Sequence, residues 1–162
     1  MKKRKEVKRW VYEWKSARQI KADPNEAAKV MNQLAESDSL TAENLVEVSK
    51  PENAPLHNEF EWDDTIAAIK YRNHQARNII NALVIVPDET IQAVEPVRAY
   101  FKIEPTEPTY KQLTAIVKTP SQRDALLQSA LAELVAFQKK YAVLSELKIV
   151  FASIDETIEN YG

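Results

Sequence analysis

The chain has no cysteine, one glycine and no long apolar run. Without cysteine it has no disulfide, no thiolate catalysis and no cysteine-based zinc site, a composition that fits a reducing compartment. The one glycine is Gly162. Glycine-rich phosphate loops are therefore excluded, and Asn or Asp must serve the helix stops and tight turns that need positive φ. No apolar stretch approaches the ~20 residues of a membrane-spanning helix, so membrane association is not expected from the body of the chain. The basic start lacks the apolar core of a secretory signal, because Glu13 and Lys15 interrupt its aromatics. It reads as mature chain.

What is present is enough for a core. Hydrophobic residues make up 44% of the 162 positions, which argues against wholesale disorder. One domain is the first expectation, with two small subdomains left open. The net charge of −2 hides an asymmetry. Up to Ala22 there are nine Lys/Arg against two Glu, a balance of +7, which leaves −9 for the rest. A basic arm precedes an acidic body.

Residues 3–22 read as a helix, because Val7, Trp10, Val11, Trp14, Ala17 and Arg18 recur at spacings of three and four. Its other faces carry Lys2, Lys3, Arg4, Lys5, Lys8, Arg9 and Lys15. Cations interleaved with aromatics suit nucleic acid, since ammonium and guanidinium groups meet phosphates while rings stack on unpaired bases. Two other readings stay open. Trp10 and Trp14 can dock the helix on the body or on another protein, and a basic amphipathic helix can lie on an anionic membrane surface.

Asp23-Pro24 predicts a helix start, with Asp23 as cap and Pro24 in the first position. Ala27, Ala28, Val30, Met31, Leu34 and Ala35 carry that helix to about Glu36. After a turn at 37–39, Thr41 caps a third helix with Leu45, Val46 and Val48 on its buried side, ending before Pro51. A DNA-reading helix-turn-helix is discounted, because Glu43 and Glu47 on the second helix repel phosphate.

The stretch from Pro55 to Val86 is the focus of the chain. Leu56, Phe60 and Trp62 anchor a loop, and Asp63 or Asp64 caps a long helix running to about Leu83. Ile66, Ile69, Ala76, Ile79, Ile80 and Leu83 form its apolar face. Lys70, His74, Arg77 and Asn81 form a polar stripe, with Arg72 and Gln75 near its edge. That stripe is either solvated or in contact with phosphates or an acidic partner. His57, Asp63, Asp64 and His74 lack the spacing of a metal motif, so no metal and no cofactor is expected.

Further on, Leu83–Val86 is either a last helical turn or a strand. Val97–Ile103 alternates as a half-buried strand, with Val97, Ala99, Phe101 and Ile103 inward and Arg98, Tyr100 and Lys102 outward. Pro105 and Pro108 make a turn, and Tyr110–Thr114 returns as a second strand. Arg98, Tyr100, Lys102 and Lys111 on its outer face are either solvated or available to a polyanion. Pro120 opens the strongest helix, with Leu126, Leu127, Ala130, Leu131, Leu134, Phe137 and Tyr141 as its stripe. A break near Ala142-Val143 precedes a last helix. The apolar area of this pair exceeds what a thin hairpin hides, so it must meet the central helix or a partner subunit.

The order LTAENLVEVSKPENAPLHNEFEWDD, AAIKYRNHQARNII, VRAYFKI and FQKKYAVLSELKIVFASID resembles a group of small, poorly characterised proteins encoded by phages and prophages. The resemblance covers roughly residues 24–155, most specifically Leu56–Asp64 and Tyr71–Arg77. It implies a phage-type accessory protein in bacterial cytoplasm, with nucleic-acid handling, assembly and host interference all open, and brings no catalytic residues.

These readings add up to an α+β chain, mainly helical, with a small antiparallel β-hairpin and a C-terminal helical hairpin. Its regions are a basic aromatic helix (1–22), a helical region with the central motif (23–86), and the two hairpins (87–162). The function expected is non-enzymatic, non-sequence-specific nucleic-acid binding by an oligomer. DNA is the expected partner and RNA is left open. The contacts would come from Lys2, Lys3, Arg4, Lys5, Lys8, Arg9, Lys15, Arg18, Lys70, His74 and Arg77. The alternative is a protein-interaction module, a phage assembly component or a binder of a host factor, with Trp10 and Trp14 at the interface.

Overall fold

The computed structural model describes residues 10–15, 20–62, 66–89 and 91–162. Among the described residues six α-helices and five short strands make an α+β fold that is mainly helical. The helices with local signals sit where those signals place them. Helix α1, Pro24–Glu36, starts with Pro24 in its first turn, and the Asp23 carboxylate accepts the Asn25 and Glu26 N–H groups at 2.9 Å. Helix α2, Ala42–Ser49, is capped by the Thr41 hydroxyl, which accepts from the Asn44 N–H at 3.0 Å. Between them Asp38 takes φ 55°, the only non-glycine residue with positive φ among those described. An aspartate thus supplies the left-handed turn in a chain short of glycine.

Helix α3, Ile66–Ala82, buries Ala76, Ile79 and Ile80. The carboxylates expected to cap it, Asp63 and Asp64, lie outside the described residues. Two of the positions expected to be buried are not: Val48 on α2 and Ile69 on α3 are both exposed. Helix α3 runs directly into strand β2, Leu83–Ile85, whose three side chains are all buried. The alternative of a last helical turn is thereby settled in favour of a strand.

Strand β2 is the centre of a three-stranded antiparallel sheet, and its neighbours correct two expectations. On one edge lies β1, Tyr12–Trp14, with Tyr12 opposite Ile85 and Trp14 opposite Leu83. The helix expected over residues 3–22 is therefore wrong at Tyr12–Trp14. Val11 is exposed, Tyr12 buried, Glu13 exposed and Trp14 half-buried, so this stretch has a period of two. Val, Tyr and Trp suit a pleated, half-buried surface, and β2 offers the backbone partners that local helix propensity cannot match. On the other edge lies β3, Val97–Arg98, with Val84 opposite Arg98.

The second correction concerns Tyr100. The strand expected over Val97–Ile103 breaks at Ala99. Its N–H donates to the Leu83 carbonyl and its own carbonyl accepts from the Leu113 N–H. Beyond it β4, Tyr100–Phe101, pairs antiparallel with β5, Lys111–Gln112, which forms the expected small hairpin. The break turns Tyr100 inward. Its ring is among the most deeply buried side chains, whereas simple alternation places it outside. Lys111, also expected outward, is held by the Asp38 carboxylate at 2.6 Å. Helix α4, Leu113–Ile116, follows at once.

The core gathers Met31, Leu40, Leu45, Leu56, Ile80, Leu83 and Ile85, all fully buried. Each such side chain contributes about 1.5–3 kcal/mol of transfer free energy. Helices α5, Pro120–Lys140, and α6, Lys148–Tyr161, form the expected C-terminal hairpin. Gln128 donates to the Tyr161 carbonyl and Gln138 to the Asp155 carboxylate, contacts that set the two helices antiparallel.

A partly buried polar link ties the first strand to the hairpin. The Tyr100 hydroxyl donates to Asn32 Oδ1 at 2.7 Å, and the Asn32 amide donates to the Tyr12 hydroxyl at 3.3 Å. Burial, with Tyr12 nearby, pushes the Tyr100 phenol well above its ordinary range. Burial also raises Tyr12, against the opposing hydrogen bond from Asn32. Both phenols hold their protons to higher pH in the fold than in the unfolded chain, where they ionise near pH ~10. Their contribution is complete below that pH and is lost as pH climbs further, by up to ~1.4 kcal/mol per pH unit for each. Urea midpoints measured from pH 8 to 11 should fall above pH ~10. Tyr100→Phe should lower stability at pH 8 by about 1 kcal/mol and flatten the alkaline decline. A decline as steep as in the unaltered chain would contradict the assignment.

Candidate nucleic-acid interface

Helix α3 carries Lys70, Arg72 and Arg77 and no carboxylate along its whole length, in a chain of net charge −2. Buried Ala76, Ile79 and Ile80 fix its rotation, so Lys70, His74 and Arg77 all stand exposed on the opposite side, with Asn81 half-buried at the end of the row. The predicted stripe is therefore a real surface. Among the described residues none of its three cationic or imidazole side chains has an ion pair.

The stripe continues beyond the helix. Asn81 and Arg98 line a groove with Phe101, Lys102 and Tyr110, closed on its far side by Leu126, Ser129, Ala130 and Glu133 of α5. Arg98 lies over the Phe101 ring at 5.6 Å and Lys102 over the Tyr110 ring at 5.3 Å. Both cations are thus presented on aromatic floors. Burial raises the Tyr110 phenol, while the positive charges of Arg77 and Arg98 lower it and Glu43 raises it. That pattern places α3 and the hairpin cations in one electrostatic field. Asn81 and Arg98 also line a second groove with Lys15, edged by Glu13 and Glu95. Lys70, Arg77, Arg98 and Lys102 make up a cationic track that also contains acids: Asn73, between Lys70 and Arg77 on α3, donates to Glu43 at 3.3 Å, and Glu133 lines the first groove. Such a track can hold successive phosphates. It offers no nucleophile–base pair, and among the described residues no His, Asp or Glu cluster could hold a metal.

Of the other predicted site residues, Lys2, Lys3, Arg4, Lys5, Lys8, Arg9 and Arg18 lie outside the described residues. Lys15 is exposed and its backbone N–H donates to the Ala82 carbonyl at 2.9 Å. Trp10 and Trp14 pack on the chain's own core. The Trp14 indole N–H donates to the Ala22 carbonyl at 2.6 Å. These two rings belong to the scaffold, as one of the open readings held.

The structure assigns the motif around Trp62 to the scaffold as well. His57 stacks on Trp62 with centroids 5.0 Å apart, and its Nδ1 donates to the Ser49 carbonyl at the end of α2. Trp62 donates to the His57 carbonyl at 2.9 Å. Glu59 accepts the Lys21 and Ala22 N–H groups just before α1. Arg72, read as a surface residue, is buried. Its guanidinium donates to the Glu61 carbonyl at 2.9 Å and lies over Trp62 at 5.5 Å. Chain spacing does not mark it: Trp62 is ten residues away, and only the fold lays the arginine stem and guanidinium over that ring.

The two arginines of α3 therefore separate by role. Arg72→Ala should destabilise the fold by about 2–3 kcal/mol, because a buried charged donor and its aromatic packing go together. Arg77→Ala should stay within ~0.5 kcal/mol of the unaltered chain. Urea denaturation of both variants checks this, and equal losses would contradict it. No protein-family model matches the chain, and neither a curated protein nor a solved structure matches it.

Proposed function

We propose that this chain is a non-enzymatic accessory protein of the phage type that binds nucleic acid through its phosphate backbone, without reading sequence. The observation that carries the reading is α3: a helix free of acid whose exposed face presents Lys70, His74 and Arg77. Arg98 and Lys102 extend the track over aromatic rings. The basic residues before Trp10 add charge in the sequence. Cations spaced along a surface neutralise phosphates and release counterions, so affinity is electrostatic and falls steeply with salt. Exposed Tyr71 beside Lys70 adds a ring on which an unpaired base can stack.

A second reading draws on the helical hairpin, which leaves several large apolar side chains exposed. It makes the chain a protein-interaction module, a phage assembly component or a binder of a host factor, with no DNA affinity at physiological salt.

The two separate in one experiment. Binding of duplex and single-stranded DNA by the full chain should be followed by fluorescence anisotropy across a salt titration. Replacing Lys70 and Arg77 by Ala should lower the slope of log K against log salt by about 0.9 per contact on duplex, and about 0.7 on single strands. Lys29→Ala, which removes a cation already paired with Glu26, should leave it unchanged. An unaltered slope in the α3 variant sinks the nucleic-acid reading. Absence of any binding at low salt favours the second.

A further inference from the structure

The groove between the β-hairpin and α5 holds charges of both signs that do not meet. On one side Arg98 is exposed over the Phe101 ring, and Lys102 is half-buried over the Tyr110 ring. On the other, Leu126, Ser129, Ala130 and Glu133 recur at spacings of three and four, so one strip of α5 makes the wall. Glu133 is exposed there, and among the described residues its carboxylate makes no ion pair with either cation. The Ser129 hydroxyl donates to the Ile103 carbonyl at 3.4 Å, which leaves Glu133 as the strong acceptor of that wall. With Ser129 and Ala130 small, the space between the walls is about 530 Å³, a size found in small-molecule sites.

An occupant that satisfies this groove carries an anion for the cations and donors for the carboxylate. We propose that the groove takes one unpaired guanine nucleotide of a single strand, with its phosphates on Arg98 and Lys102 and its base on Glu133. The choice of base follows from donor patterns. On its Watson–Crick edge guanine presents two adjacent donors, N1–H and the exocyclic amine, which match the two oxygens of a carboxylate. Adenine and cytosine set a ring-nitrogen acceptor beside their amine, and thymine or uracil flanks its N–H with carbonyls. Those lone pairs oppose a carboxylate. In a duplex the guanine donors are already taken by cytosine, so Glu133 rewards only an unpaired base. Asn81 lines the same groove at the end of the stripe that carries Arg77, so neighbouring phosphates of the strand follow the track onto α3. The inference rests on the nucleic-acid reading and adds a base preference at one position to binding otherwise blind to sequence.

Fluorescence anisotropy with the full chain tests this. The probes are labelled thymine strands about 12 nucleotides long that carry one central guanine or one central adenine, both purines with a stacking face. The guanine strand should bind about tenfold more tightly. Annealing each probe to its complement should remove the difference. Glu133→Gln, which exchanges one acceptor oxygen for a donating amide, should bring the two strands within about twofold of each other. Glu133 is exposed, so the circular dichroism of that variant should match the unaltered chain. Equal affinity for the two strands, with salt-dependent binding intact, would overturn this inference and leave the backbone reading standing. No binding of either strand at low salt would overturn both. A guanine preference that survives Glu133→Gln or duplex formation would also overturn it. Free GMP competing as well as the guanine strand would give the groove to a mononucleotide and overturn the strand.

Discussion

Three residues, Leu83–Ile85, hold this fold together. They follow α3 without a loop, carry ladder partners on both edges and bury all three side chains. A central strand flanked on both sides leaves no unpaired edge of its own, and each neighbour depends on it. Strand β1 is tied through it to α3, β3 to the hairpin, and the Ala99 N–H reaches the Leu83 carbonyl where the two sheets meet. The direction of α3 follows from the same junction. Because the helix must deliver Leu83 into the sheet, its apolar side faces the core and its cationic side faces out.

The parts of this fold that were legible in the sequence are those governed by neighbours in the chain. Asp23 before Pro24, Thr41 before α2 and Pro120 at the start of α5 mark helix starts through contacts within a few residues, and those helices stand where they were expected. The parts that were not legible depend on distant partners. Tyr12–Trp14 has helical spacing and strand propensity at once, and only pairing with Leu83–Ile85 decides between them. Tyr100 turns inward because Ala99 bonds to two different elements, which no alternation rule registers. Lys70, His74 and Arg77 were legible as an exposed stripe because a helix has one face opposite its core. Arg72 was not, since its burial rests on Trp62 and the Glu61 carbonyl.

Surface chemistry is divided between two regions. The cationic track follows α3 and the β-hairpin, where charge stands over aromatic rings. The apolar flank follows α5 and α6, which pack chiefly on each other and on α4. They touch along the groove where Glu133 faces Arg98 and Lys102.

The pairing of Tyr12 with Ile85 also has a temporal side. On a ribosome adding about 5–20 residues per second, the first strand is finished several seconds before its partner, about 70 residues later, is made. During that interval Tyr12 and Trp14 have no sheet partner to cover them. The Lys and Arg residues that surround them in the sequence disfavour approach of like-charged copies. Like charge beside this strand thus opposes self-association over the interval in which the strand has no ladder partner.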